Sequence, residues 1–285
     1  MSIISDYFIQ KAKIELEENE IRKKESIMLF ENWLKNHSFI KYQNPDLIHL
    51  LMFLRTKKYR MDKVFESFEK ALIYTKSISK YSNLTDEELK ELLVNCMKFF
   101  YVLKDRSENG ERILIAKMSE MEALSFSLME IVKYFNIMIS ALLLEEETQI
   151  AGVILIFDYT NATWNLFKKI SLIEFAQYLS NVKFFAVRIK KIVLIDFPTL
   201  AIRVLEVVQK VLSEKLKQRI ITVKDLVELK KIINVSELSM DNKEFFLNFD
   251  EQIVKAYHMF SKIEIDFDKL KKFETIGSFR ILEID

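Results

Sequence analysis

The residues able to do chemistry are few and scattered. Three histidines, His37, His49 and His258, lie far apart in the chain. None stands in the His-Glu-x-x-His spacing that puts two imidazoles and a base on one helix face around zinc. No Gly-x-Ser-x-Gly elbow is present to lift a serine nucleophile between strand and helix. Cys96 sits among Leu93, Val94, Met97 and Phe99, an apolar setting in which a thiol stays inert. As the single cysteine it can form neither an intrachain disulfide nor a zinc site of clustered thiolates. Asp158 closes an apolar run, and Asp-Tyr-Thr-Asn161 suits a turn better than a catalytic carboxylate. Glu145-Glu-Glu147 reads as a solvated helix end. The chain holds three glycines, Gly110, Gly152 and Gly277, too few and too dispersed for a phosphate-cradling loop or a dinucleotide fingerprint. No catalytic set, metal site or cofactor is expected, and the protein reads as a non-enzyme.

Binding chemistry is better represented. Arg188 and Lys190 are two apart in an extended segment and so share a strand face. Lys215 and Arg219 are four apart just beyond, with Glu214 among them, and Arg55 ends an apolar helix. Guanidinium forks suit phosphates through bidentate hydrogen bonds. These five cations form either a phosphate-binding patch or the solvated surface of a highly charged protein. The overall balance is nearly neutral, 43 basic against 42 acidic residues, which excludes a general nucleic-acid binder. Apolar stripes are the other candidate. Val153, Leu155 and Phe157 alternate along one strand, and Ile192 and Leu194 along the next. Phe184 and Phe185 precede the second strand. In the helix that follows, Leu200, Val204, Val208 and Val211 make one stripe while Arg203, Glu206 and Lys210 make the opposite face. Such stripes build either an ordinary core or the walls of an apolar cavity.

The elements that must position these groups follow from periodicity. Residues 1–80 read as a small helical bundle. Ile9, Ala12, Leu16 and Ile27, Phe30, Leu34 recur at helical spacing, Asn44 stands as N-cap before Pro45, and Val64, Phe65, Phe68 and Leu72 face inward. A linker at 82–88 ends with Thr85 and Glu88 spaced as a capping box. Strands are expected at 111–118, 149–158, 187–196 and 219–223, with helices at 125–146, 165–178, 199–212 and 225–231 between and after them. That alternation predicts an α/β fold, a mainly parallel sheet with flanking helices over residues 81–285. The apolar stretches fall far short of the ~20 residues of a spanning helix. The first residues, Met1 to Asp6, lack the basic start and apolar run of a secretory signal. A soluble, cytoplasmic protein is expected.

Leu50-Leu-Met-Phe-Leu-Arg-Thr-Lys-Lys-Tyr-Arg-Met-Asp-Lys-Val64 resembles the N-terminal helical motif of the CRAL-TRIO family, and Trp33-Leu-Lys-Asn-His37 its tocopherol-transfer and retinaldehyde-binding branch. Four later segments are similar to successive core segments of the family: Asn109-Gly-Glu-Arg112, Ala151-Gly-Val-Ile-Leu-Ile-Phe-Asp158, Arg188-Ile-Lys-Lys-Ile-Val-Leu-Ile-Asp-Phe-Pro198 and Ser213-Glu-Lys-Leu-Lys-Gln-Arg-Ile220. The chain departs from the pattern at Val193, where the family usually has histidine, in lacking a proline before Ser213, and at 234–240, where a Leu-Pro…Tyr-Gly-Gly motif is missing. The resemblance implies a gated apolar cavity lined by Val153, Leu155, Phe157, Leu179, Phe185, Ile192, Leu194, Leu200, Val204 and Val208. It also implies a phosphoinositide-binding, membrane-docking patch of Arg55, Arg188, Lys190, Lys215 and Arg219. The expected function is non-enzymatic carriage of a tocopherol, retinoid, carotenoid or phospholipid between membranes, with transient peripheral association. The alternative is a degenerate lipid-binding fold that presents a surface to a protein partner.

Overall fold

The computed structural model describes residues 4–77, 85–124, 127–168, 171–233 and 250–271. Helices α1 (Asp6–Leu16), α2 (Glu20–Lys35), α3 (Leu47–Thr56) and α4 (Met61–Ser77) form the N-terminal bundle, with the short strand β1 (Ile40–Lys41) between α2 and α3. An aromatic cluster fills it: Phe68 meets Phe30 and Phe53 edge to face at 5.0 and 4.9 Å, and Trp33 stacks on Phe65 at 4.8 Å. Asn44 does not cap α3. It takes a positive φ of 49°, and Asp46 occupies the N-cap position before Leu47.

The second part contains α5 (Asp86–Cys96), β2 (Phe100–Val102), β3 (Arg112–Lys117), α6 (Met118–Ala123), α7 (Leu128–Leu142), α8 (Glu146–Ala151), β4 (Val153–Asp158), α9 (Trp164–Lys168), α10 (Leu172–Val182), β5 (Ile189–Ile195), a helical turn Thr199–Ala201, α11 (Ile202–Val211), α12 (Glu214–Lys217), β6 (Ile220–Val223) and α13 (Leu226–Ile232). Among the described residues the sheet has five strands in the order β2-β3-β4-β5-β6, parallel except for the antiparallel edge β2. Thr85 and Glu88 make the expected capping box at the start of α5.

Several boundaries differ from the periodicity. Gln149, Ile150 and Ala151 end helix α8 instead of opening β4, because Gly152 breaks the apolar run at φ 94°. A Cβ at Gly152 would lie 2.3 Å from the Arg188 carbonyl, so only glycine lets β4 and the segment entering β5 approach this closely. The helix expected at 125–146 is α7, capped by Ser127, and the one expected at 165–178 is the pair α9 and α10.

Alternation splits the sheet into two faces. Ile113, Ile115, Ile154, Ile156, Val193, Ile195 and Val223 pack against Leu229 of α13 and Ile233 just beyond it. Leu114, Ala116, Val153 and Leu155 face the main core. The chain then returns to its start. Helix α14 (Asp250–Ser261) packs on α7, and β7 (Glu264–Ile265) pairs with β1 in antiparallel register, Ile40 opposite Ile265. The C-terminal extension thus closes onto the N-terminal bundle. No helix among the described residues is long and apolar enough to cross a membrane.

Candidate functional site

Between the sheet and its helical cover lies a cavity of about 210 Å³. Leu155 and Phe157 of β4 with Ile192 and Leu194 of β5 form its floor. Phe175, Tyr178 and Leu179 of α10 and Val204, Leu205 and Val208 of α11 form its roof. Met118 and Met121 of α6 and Phe135 of α7 close one side. No lining residue carries a charge, and among the lining residues only Tyr159 and Tyr178 bear a side-chain hydroxyl. The Tyr178 hydroxyl donates to Asn136 Oδ1 at 3.3 Å. Tyr159 continues the alternation of β4 past Asp158 and stacks on Phe167 at 5.9 Å, and burial pushes its phenol well above the ordinary tyrosine range. Asp158 itself makes the expected turn, its Oδ1 accepting from the Thr160 backbone N–H at 3.0 Å.

Helix α11 packs on α10 and keeps Arg203, Glu206 and Lys210 exposed. It is amphipathic, so it roofs the cavity with one face and meets solvent with the other.

Seven of the ten expected cavity residues line this space: Leu155, Phe157, Leu179, Ile192, Leu194, Val204 and Val208. Val153 is fully buried in the core below it and does not reach the cavity. Phe185 lines a neighbouring chamber, because the chain leaves α10 on the side of α4 and α7. Leu200 belongs to the turn Thr199–Ala201, and its side chain lies outside the described residues. Val211, expected on the inward stripe, is 38% exposed, and Leu205 and Leu212 take the inward places.

A second, polar cleft of about 230 Å³ adjoins the cavity. Arg188, Lys190, Lys215 and Arg219 line it, joined by Lys57 and Lys183, which the sequence pattern does not reveal. Leu179, Val182, Ile189, Leu212 and Leu216 line both spaces and form the wall between them. Arg188 and Lys190 hydrogen-bond to Glu15 of α1 at 2.7 and 2.8 Å. Burial alone would raise the Glu15 carboxyl, but hydrogen bonds from Lys11, Lys190 and Arg188 hold it down at about 2. Arg219 donates to the Ile189 carbonyl and Arg188 to that of Ile150, contacts that aim both guanidinium groups along the cleft wall.

The cations crowd one another. Burial lowers Lys215 and Arg219 below their ordinary ranges, and neighbouring positive charge lowers both further. Burial likewise pushes Lys57 down to about 8, while its Nζ donates to the Lys183 carbonyl at 2.6 Å. A bound anion favours the protonated form of Lys57. Affinity for a polyanion such as inositol trisphosphate should therefore be steady below pH 8 and fall as pH rises through 8 and the ammonium is lost. The expected drop between pH 7 and 9 is about fivefold, from ~1 kcal/mol per basic group, read by titration calorimetry. Lys57→Met should flatten the profile, and a wild-type profile flat across this window would show that the cleft holds no anion beside Lys57.

Arg55 does not join this cleft. It is 1% exposed and fully engaged. Its Nε and Nη2 donate to the Glu18 carboxylate at 2.9 Å, Nη2 also reaches Glu146 at 2.9 Å, and Nη1 donates to Gln149 Oε1 at 2.9 Å. Nor is 145–147 a solvated helix end. Glu145 receives a bidentate pair from Arg112 at 2.7 and 2.9 Å and a further bond from Arg106 at 2.8 Å. Three arginines from separate elements thus converge on the acidic start of α8, where the helix dipole also favours negative charge.

One face of the sheet thus lies under an amphipathic helix, with an uncharged cavity between them and a basic cleft beside it. The family described as CRAL/TRIO domain matches residues 96–241, and the chain belongs to this lipid-binding family. Clavesin-1 of Xenopus laevis is 25% identical over 166 residues, 57% of this chain and 49% of that protein. Clavesin-2 of Homo sapiens is 23% identical over 171 residues, 59% of this chain and 52% of that protein. The chain therefore spans about half the length of these curated relatives. A solved structure titled "Crystal structure of Sfh5" aligns with a TM-score of 0.43 at 9% identity, over 90% of this chain and all of that one.

Proposed function

We propose that this protein binds one hydrophobic molecule in the cavity beneath α11 and carries it between membranes without chemical change. The uncharged lining, with Tyr159 and Tyr178 as its side-chain hydroxyls, carries this reading. Such a surface favours a neutral or weakly polar guest of the tocopherol, retinoid or carotenoid kind. Each Å² of apolar ligand surface removed from water contributes ~25 cal/mol. The basic cleft is the proposed site for a phosphoinositide headgroup. It meets the cavity at Leu212, the C-cap of α11, so a headgroup held by Lys215 and Arg219 would lie beside the end of the covering helix. Trp164, Ile173 and Ile202, exposed by 39, 73 and 46%, give the same helical cover an apolar surface for a bilayer interface. The open space between sheet and α11 favours carriage over the alternative of a collapsed fold acting only as a protein-interaction surface.

Native mass spectrometry of the purified protein, with organic extraction of what it holds, tests the reading. One apolar molecule per chain is expected, and a delipidated protein that takes up no lipid from a broad panel would sink it. Leu155→Trp should fill the floor. Loss of ~100 Å² of ligand contact costs about 2.5 kcal/mol, close to a hundredfold in affinity. Unchanged lipid uptake by a folded Leu155→Trp protein would place the ligand elsewhere.

A further inference from the structure

Behind the lipid cavity lies a separate space of about 90 Å³, enclosed by α3, α4, α7, α14 and the segment entering β5. Its walls are mostly apolar, Met52, Phe53, Ile139, Leu143, Ala186 and Ala256 among them. Phe135, Tyr178, Val182 and Ile189 line this chamber and the main cavity alike, so a partition one side chain thick divides the two. At the ~30 Å³ a water occupies in the liquid, this is space for about three small groups, enough for the polar end and first carbons of one chain and not for two. Its polar lining differs from that of the main cavity. Asn136 and Ser140 satisfy each other's neighbourhood, the Ser140 hydroxyl donating to the Asn136 carbonyl at 2.7 Å. Lys76, in the last turn of α4, is half-buried in this wall beside Thr75. Among the described residues no carboxylate lies within 4 Å of its Nζ. Burial pulls its ammonium below the ordinary lysine range, and Glu264 of β7 only partly offsets this. A half-buried cation gains from an anion delivered next to it, because the cost of its lost hydration is otherwise uncompensated.

From this arrangement we propose that the rear chamber is a second ligand site for a single-chain anionic amphiphile of the fatty-acid class. The carboxylate pairs with Lys76 and Thr75 in the chamber, and the rest of the chain passes the Phe135 and Tyr178 partition into the main cavity. The proposal rests on the carrier reading for the chain's route into the main cavity, but its charged end is specific to Lys76.

Titration calorimetry with dodecanoate and with 1-dodecanol separates the two ideas. The wild-type protein should bind dodecanoate at least tenfold more tightly than the alcohol. Lys76→Met should erase that preference while leaving the alcohol unchanged, and Lys76→Arg should keep it. Ser140→Phe, which fills the chamber without touching a charge, should weaken dodecanoate at least tenfold. If wild type binds both probes equally, or if Lys76→Met leaves the preference intact, the rear site is wrong while the carrier reading stands. If neither probe nor any neutral lipid binds the wild type, the carrier reading fails and takes this proposal with it.

Discussion

Replacing Arg55 by alanine should lower the free energy of unfolding by about 3–5 kcal/mol, the range for breaking a buried ion pair by removing one partner. The side chain is 1% exposed and ties Glu18, between α1 and α2, to Glu146 and Gln149 of α8. Its removal leaves two carboxylates facing each other across a dry gap. Glu18 illustrates the dependence: burial would raise its carboxyl, and the hydrogen bonds from Arg55 are what hold it low. The sign of the linkage follows. A carboxyl depressed in the folded state stabilises the fold above its unfolded range, and that stability is lost as pH falls through the folded value. The wild type should therefore lose stability on acidification below pH 4, and Arg55→Ala should show less of this loss. Urea unfolding at pH 7 and pH 3 measures both. A change under 1 kcal/mol for Arg55→Ala would show that the cluster is hydrated and replaceable. Restoring neutrality with Glu18→Gln and Glu146→Gln in the Arg55→Ala background should recover part of the loss.

The double charge reversal Lys215→Glu with Arg219→Glu should cut binding to vesicles containing phosphatidylinositol bisphosphate by several hundredfold at physiological salt. Two reversals change the charge of the cleft by four units, and each unit near an anionic surface is worth ~1 kcal/mol. The loss should shrink at high salt, where the Debye length falls to about 3 Å. Neither side chain lines the apolar cavity, so detergent-delivered ligand should still load the variant. Vesicle sedimentation gives the binding, and equal sedimentation of variant and wild type would show that the membrane meets another face. Arg55, read from its sequence motif as part of the patch, is predicted to contribute nothing here, since its guanidinium never reaches the surface.

The different fates of Arg55 and Arg219 show what the chain discloses locally. A cation next to others in a short segment, as at 215–219, can be placed from spacing alone. Whether a cation ending an apolar helix is exposed depends on Glu146 and Gln149, about ninety residues away. The same contrast runs through the fold. Strand β4 and the central residues of β3 and β5, Ile113 to Ala116 and Ile192 to Ile195, are apolar on both faces and stand out as continuous runs. Strand β2 does not show in the pattern, because Phe100 to Val102 continue an apolar stretch that follows α5, and only pairing with β3 makes them extended. The cavity floor was legible because strand alternation is rigid. Its roof was less so: a helix rotated by one position moves Val211 outward and Leu205 inward. Phe185 faces the neighbouring chamber because a turn after α10 redirects it, and no periodicity describes a turn of this kind.

The pairing of β1 with β7 has a consequence for how the chain comes to be folded. Ile40 and Ile265 are more than two hundred residues apart, so closing that contact carries a large loop entropy and must come late. During synthesis the bundle and the five-stranded sheet are made before α14 and β7. The face of α7 that α14 will cover is then bare, and nascent chains at this stage are the ones most exposed to misassembly. A guest present before the last turn of the chain emerges would meet a molecule still open at the back. Loading during translation and loading of the finished protein are, for this topology, different events.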